Sequence, residues 1–129
     1  MRRRLLPLAT LVPLAALLLA GCATKRLYDG PRRADDEVAR IDGSPAFNAG
    51  LPIAALIRKV DSSPISAGYS HVSVPPGPHT LLVDCLVYEA HTTTRFDLDI
   101  DAESGSHYRL VPVSAPGNQR CDSVRVEVR

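Results

Sequence analysis

Residues 92–101 read TTTRFDLDID, and after the three threonines charged and apolar side chains alternate to the end of the stretch. Threonine and apolar side chains fall on one parity, and charged side chains fall on the other. The first set is Thr94, Phe96, Leu98 and Ile100; the second is Arg95, Asp97, Asp99 and Asp101. A period of two is typical of a β-strand with one buried face and one wet face. The stretch therefore predicts a strand of an antiparallel sheet.

Six further stretches have strand-like composition or alternation, and proline, glycine, asparagine or serine clusters separate most of them. They are residues 37–41, 53–60, 69–74, 80–88, 108–113 and 123–128. Six or seven short strands at roughly ten-residue spacing predict an all-β fold, a small antiparallel β-sandwich of the Ig-like kind, over residues 37–129. A short helix over residues 53–58 is an open alternative for the second of these stretches.

The first 22 residues have the layout of a secretory signal. Arg2, Arg3 and Arg4 form a basic head, and an uncharged apolar run of about sixteen residues follows, short of the roughly 20 that a membrane-spanning helix needs. Two alternatives remain open: an uncleaved anchor helix, and ordinary signal cleavage that leaves Cys22 unmodified.

The end of this leader, Leu19-Ala20-Gly21-Cys22, resembles the lipobox of bacterial lipoproteins. The resemblance implies a signal peptide over residues 1–21, acyl chains on Cys22, and a lipidated cysteine with a flexible tether over residues 22–36. The chain would then be held on a membrane by its N-terminal lipid anchor. Ala23 after the cysteine implies, by the same resemblance, the outer membrane, with the domain facing the periplasm.

Two other cysteines remain if Cys22 carries lipid, and an even count in an oxidising compartment predicts one disulfide between Cys85 and Cys121. Cys85 shares its parity with Leu81, Val83 and Val87, so it should lie on a buried strand face. The alternative is a pair of buried free thiols.

Residues 28–33 read YDGPRR, and Glu37-Val38-Ala39 follows. This opening resembles that of a group of small bacterial outer-membrane lipoproteins, and the resemblance marks Tyr28, Gly30, Pro31 and Arg33 as possible contact residues. The stretches VPPGPHTL at 74–81 and Gly105-x-x-Tyr108-x-Leu110 resemble hairpins of PEGA-type domains, which are small extracytoplasmic β-sandwiches.

The charge balance of the chain argues against nucleic-acid binding. Without the three leader arginines, twelve Lys and Arg stand against fourteen Asp and Glu. A weakly acidic chain without basic clusters and without tryptophan gives no support for nucleic-acid binding.

No set of residues has the spacing of a catalytic, cofactor or metal site. The acidic ladder of Asp97, Asp99 and Asp101 is expected to be a solvated strand face, because alternate side chains are about 6.6–6.8 Å apart along a strand. The four histidines are expected at the surface or in turns; convergence of His79, His91 and His107 would instead favour a metal-dependent module.

The sequence therefore predicts a lipid-anchored periplasmic envelope protein without enzymatic activity or cofactor. Its role would be that of a structural or protein-interaction module, and its partner an envelope protein or peptidoglycan. The alternative is a β-sandwich domain that binds a small molecule or a glycan.

Overall fold

The computed structural model of the chain describes residues 23–44 and 52–129, and these residues form an all-β protein without a helix. The described part contains nine strands. In chain order they are β1 (Ala23–Arg26), β2 (Ala39–Asp42), β3 (Ile53–Val60), β4 (Ser63–Pro64), β5 (Tyr69–Val74), β6 (Gly77–Val87), β7 (Thr92–Ala102), β8 (His107–Ser114) and β9 (Cys121–Val128).

The strands form two sheets. The first sheet has the order β1-β5-β2-β8-β9, and the second has the order β4-β3-β6-β7. Buried side chains from both sheets form one hydrophobic cluster, with Ile41, Val72 and Leu110 from the first sheet and Leu81 and Val83 from the second. The arrangement confirms the all-β prediction and is consistent with a β-sandwich.

Strand β6 shows how the sequence pattern produces the core. Leu81, Val83 and Cys85 are fully buried, as their shared parity predicts. The following hairpin pairs β6 with β7 along all eleven residues of each strand, from Gly77 opposite Ala102 to Val87 opposite Thr92. The long uninterrupted ladder places alternate side chains on opposite faces of the second sheet.

The predicted disulfide is confirmed. Cys85 of β6 and Cys121 of β9 are bonded, and the bond joins the two sheets. Closing a loop between cysteines 36 positions apart stabilises the fold by about 3–4 kcal/mol in the chain-entropy model. The bond thus links the sheets covalently through a core that the two sheets share.

Most strand pairs are antiparallel, as predicted, but two are parallel. Strand β1 pairs in parallel with β5, and β2 pairs in parallel with β8. The first pair contradicts the flexible coil predicted for residues 23–26, because β5 has a free edge that offers backbone partners to any extended segment beside it. Strand β4, a two-residue bridge to β3, was also not predicted.

The segments that resemble PEGA-type hairpins do not form hairpins here. Strand β5 belongs to the first sheet and β6 to the second, so Pro75 and Pro76 carry the chain from one sheet to the other. Neither proline has an amide to donate to a ladder. The segment around Gly105 likewise connects β7 in the second sheet with β8 in the first.

Residues 53–58 belong to strand β3, so the alternative of a short helix there is wrong. Ile53, Ala55 and Ile57 face the core, and the cross-strand partners on β6 keep the segment extended. Among residues 23–44 and 52–129 there is no helix of the length and apolarity that a membrane span requires. The leader and Cys22, on which the prediction of lipidation rests, lie outside the described residues.

Candidate anion-binding site

A cavity of about 580 Å³ opens beside β1, between the segment that follows it and the connection from β7 to β8. Four arginines contribute to its wall: Arg26, Arg32, Arg33 and Arg40. Asp35 is the one acidic residue among the described residues that line it, and His107 also lines it. We call this cavity the cationic pocket.

The segment after β1 has a defined geometry. Leu27 N–H donates to Ser73 C=O at 2.9 Å, which continues the contact with β5 beyond the end of β1. Arg33 N–H donates to Tyr28 Oη at 3.2 Å, and the Arg33 guanidinium lies 4.9 Å from the centre of the Tyr28 ring. A cation over an aromatic face at this distance is attracted by the ring quadrupole. These contacts close residues 28–33 into a compact loop.

The predicted contact residues have different positions in this loop. Tyr28 and Arg33 line the cationic pocket. Gly30 and Pro31 form the turn between them, with Gly30 at φ +86°, and neither residue lines the cavity. Because φ is positive there, glycine fits the turn without strain. The structure thus brings two of the four residues to the site, and the other two shape the loop.

A buried carboxylate supports the wall of the pocket. Asp42, at the end of β2, is 5% exposed. Its oxygens receive Arg40 Nε at 3.0 Å and His71 Nδ1 at 2.5 Å, and His107 Nε2 bonds to the second oxygen. The guanidinium of Arg129 lies 3.8 Å away. These five residues are called the Asp42 cluster below.

The strand register explains why the cluster forms. Asp42 lies opposite His71 on β5 and opposite Arg109 on β8, and His107 begins β8 two residues earlier. Strand β2 is central in the first sheet, so donors approach its last carboxylate from both neighbouring strands. No donor in the cluster except Arg40 comes from β2 itself.

The environment lowers the pKa of Asp42. Burial acts to raise this pKa, but hydrogen bonds from His107 and Arg40 and the charges of His71 and Arg40 outweigh it. An ionised carboxylate only accepts hydrogen bonds. His71 therefore carries a proton on Nδ1, and His107 carries one on Nε2. Arg40 and His107, two residues of the pocket wall, are thus held by one buried anion.

The arrangement suits an anionic ligand. An arginine presents a planar fork of donors that matches a phosphate or a carboxylate. Arg26, Arg32 and Arg33 are exposed, and none has an ion-pair partner among the described residues. Arg40 is already paired with Asp42. The three unpaired arginines are therefore the groups that can meet a ligand.

The other histidines do not join this site. His79 of β6 bonds to Asp61, in the turn between β3 and β4, at 2.7 Å and to the carbonyl of Pro75, in the connection from β5 to β6, at 2.7 Å. His91 lies in the β6–β7 turn at φ +52°. In the described part of the chain, no three histidine, cysteine or acidic side chains converge as metal ligands would.

The acidic ladder lies on the solvent side of β7. Asp97, Asp99 and Asp101 are exposed, and Asp99 accepts a hydrogen bond from the hydroxyl of Thr80. On the same outer face of the second sheet, Asp84 receives Arg95 Nε at 2.8 Å and Arg58 Nε at 3.0 Å. The Arg95 bond lowers the pKa of Asp84, the Arg58 bond adds to this, and burial opposes it.

Sequence reasoning missed the Asp42 cluster. The predicted strand ended at Ile41, so Asp42 was placed beyond it, and the histidines were expected at the surface or in turns. An acidic residue directly after an apolar strand is common in loops, and only the pairing of β2 with β5 and β8 reveals it as buried. All four arginines of the cationic pocket lie within residues 26–40, so the sequence shows that this segment is basic. It does not show that the segment and residues 105–107 line one cavity, because that depends on the topology of the first sheet.

Searches against protein families, curated proteins and solved structures found no match to this chain. The resemblances to bacterial lipoproteins and to PEGA-type domains therefore stay predictions, and the function has to be argued from the pocket.

Proposed function

We propose that the protein is a lipid-anchored, non-enzymatic module of the outer membrane that faces the periplasm and binds the phosphate of an anionic lipid head group in its cationic pocket. The observation that carries this proposal is the set of three unpaired arginines around one cavity next to the first strand. The fold would be a PEGA-like or Ig-like β-sandwich.

The position of β1 supports a ligand at the membrane surface. Strand β1 begins at Ala23, the residue after Cys22. A strand advances about 3.3 Å per residue, so acyl chains on Cys22 would hold Arg26 within about 13 Å of the lipid attachment point. Thr24 and Arg26 line the cationic pocket, which would then open close to the head groups.

The composition of the pocket wall favours a charged ligand over a neutral glycan. Tyr28 is the one aromatic residue among the described residues that line it. Sugar rings are commonly held by aromatic faces, whereas phosphate oxygens are held by arginine forks and backbone amides. Three unpaired guanidinium groups and one aromatic ring therefore fit a phosphate better than a neutral sugar.

The anchor is tested by replacing Cys22 with serine in the full chain. We expect Cys22→Ser to leave the leader uncleaved by the lipoprotein pathway and to abolish labelling by radioactive palmitate. Unchanged labelling and membrane fractionation would refute lipidation at this residue.

The pocket is tested separately by binding to vesicles. The purified protein should bind phosphatidylglycerol vesicles more tightly than phosphatidylcholine vesicles, and Arg32→Gln with Arg33→Gln should weaken binding at least about tenfold, since each hydrogen bond to a charged group contributes about 1.5–3 kcal/mol. Arg120→Gln with Arg125→Gln is the matched control, because both arginines are exposed and lie outside the pocket.

The same assay separates the possible sources of the anion. Binding to a soluble muropeptide, whose anionic groups are carboxylates, in preference to the vesicles would replace the lipid head group with peptidoglycan as the ligand. Equal loss of binding in both double variants would show that net charge, and not the pocket, holds the vesicles.

A further inference from the structure

Strand β7 has a long open edge. It has eleven residues, contains neither proline nor glycine, and pairs only with β6 among the strands that the structure describes. The pairing with β6 has no register shift along its length. An open, regular edge presents unpaired amide and carbonyl groups that can accept another strand.

The core-facing side chains of β7 are incompletely covered. Phe96 and Leu98 are partly exposed, although their cross-strand partners on β6, Val83 and Leu81, are fully buried. The difference arises because β6 has neighbours on both sides and β7 has a neighbour on one side only. A strand added to the open edge would cover the exposed apolar surface of both residues.

The charges on the outer face of β7 complement a second copy of the same strand. If two copies pair antiparallel with Phe96 opposite Phe96, then Arg95 of each copy lies opposite Asp97 of the other. The same register places Thr94 opposite Leu98. This register therefore gives two opposite-charge pairs and one aromatic pair, both of which favour cross-strand association. It places no like charges of the two strands opposite each other.

The neighbouring registers are less favourable. Centring the pair on Arg95 or on Asp97 places a charge directly opposite its own copy. Centring it on Leu98 places Asp97 opposite Asp99 twice. Like charges directly opposite each other in a sheet are destabilising.

From this pattern we propose that two copies of this chain associate through their β7 edges, antiparallel and with Phe96 on the two-fold axis. The paired second sheets then form one continuous eight-stranded sheet with a two-fold axis perpendicular to it. The side chain of Arg95 is 62% exposed and contacts Asp84 through Nε and Nη2, so it can reach Asp97 of the second copy without leaving Asp84. A single strand edge buries little surface, so the dimer is weak. The proposal does not depend on the cationic pocket.

Strand β9 is the competing edge, and it is less suited. It is three residues shorter than β7, and its pairing with β8 contains a register shift.

The association is tested on the full protein in density-matched detergent by sedimentation equilibrium. The wild-type chain should show a monomer–dimer equilibrium, and Asp97→Lys should raise the dimer dissociation constant at least about tenfold, because both charge pairs become repulsive. Asp97 is exposed, and its interaction with Arg95 within the described chain is one of charge without a hydrogen bond, so the variant should keep its fold. Asp101→Lys is the control, with the same charge change on the same strand beyond the paired centre.

The register is tested by cysteine cross-linking in cell envelopes. Directly opposite residues in an antiparallel pair are about 4.5–5.5 Å apart at Cα, within the range of a disulfide. Phe96→Cys should therefore give a disulfide-linked dimer, and Thr94→Cys should not, because its copies would be about 13 Å apart. A monomer at every concentration, equal cross-linking of the two variants, or a dimer lost with Glu127→Lys but not with Asp97→Lys would overturn the proposal.

Discussion

The carboxylate of Asp42 is shared by several hydrogen bonds and ion pairs of the first sheet. Its carboxylate is buried and meets two imidazoles and two guanidinium groups. A buried charge is costly unless it is paired, and removing its partners leaves that cost uncompensated. The Asp42 cluster therefore stabilises the fold only as a complete set, and the same set fixes Arg40 and His107 on the pocket wall.

Asp42→Asn is expected to lower the free energy of unfolding by about 2–3 kcal/mol, because hydrogen bonds from charged donors lose their anionic acceptor. Urea denaturation measures this change. Asp61→Asn is the matched control: Asp61 also bonds to a histidine, but its side chain is 53% exposed, so the loss there should be less than about 1 kcal/mol. Equal effects of the two substitutions would contradict the account of the cluster.

Gly43 is a second residue whose replacement the fold does not tolerate well. A Cβ at Gly43 would lie 2.9 Å from the carbonyl oxygen of Ala55, and backbone atoms cannot move away cheaply. The close approach belongs to the point where the chain leaves β2 and Ser44 forms a bridge with Ala55 on the second sheet. Gly43→Ala should therefore destabilise the protein, by about 1–3 kcal/mol in thermal or urea unfolding.

At the scale of elements, the sequence predicted the strands that carry a clear pattern. The alternation in residues 92–101 corresponds to β7, and the parity of Leu81, Val83 and Cys85 corresponds to the buried face of β6. The order of apolar and polar residues within each of these two strands determines which side chains are buried, so the sequence alone is sufficient to predict them. The disulfide followed from the same parity together with the cysteine count.

The elements that were missed depend on partners distant in sequence. Strand β1 is polar and has no alternation, and it is extended because β5 pairs with it. Asp42 is buried because β2 lies between β5 and β8, an order that no local pattern reveals. The cationic pocket is likewise a product of topology, since Arg26 of β1, Arg40 of β2 and His107 of β8 line one cavity.

The Cys85–Cys121 disulfide joins β6 to β9, and its contribution to stability can be measured. Cys85→Ala with Cys121→Ala should lower the free energy of unfolding by about 3–4 kcal/mol, because the unfolded chain of the variant is no longer constrained by a cross-link. Chemical denaturation of the double variant measures the loss. A double variant as stable as the oxidised wild-type protein would show that the bond is not needed to hold the sheets together.

At the scale of the whole molecule, three aspartates make the fold sensitive to acid. Hydrogen bonds and nearby charges lower the pKa of Asp42, Asp61 and Asp84 in the folded state, for Asp61 chiefly through its bond with His79. A carboxylate with a depressed folded-state pKa stabilises the fold above its unfolded pKa of about 4, and this contribution is lost as the pH falls through the folded-state value.

The unfolding free energy should therefore fall steeply below about pH 4, where these carboxylates become protonated. Denaturation at a series of pH values measures the slope. Asp84→Asn should be less stable than the wild-type protein at neutral pH and should show a shallower decline in acid, since one of the three groups no longer titrates. A parallel decline in both proteins would contradict the role of Asp84.

The cationic pocket depends on all three scales, since the buried Asp42 orients part of its wall and β1 contributes Thr24 and Arg26 to it. Nuclear magnetic resonance mapping of a titration with short-chain phosphatidylglycerol below its micelle concentration tests this most directly. We expect the largest amide shifts at residues 26–33 and 105–107, around the cationic pocket. Shifts centred on the second cavity, of about 490 Å³ beside Asp61, His79 and Thr80, or no saturable shifts at all, would contradict the proposed site.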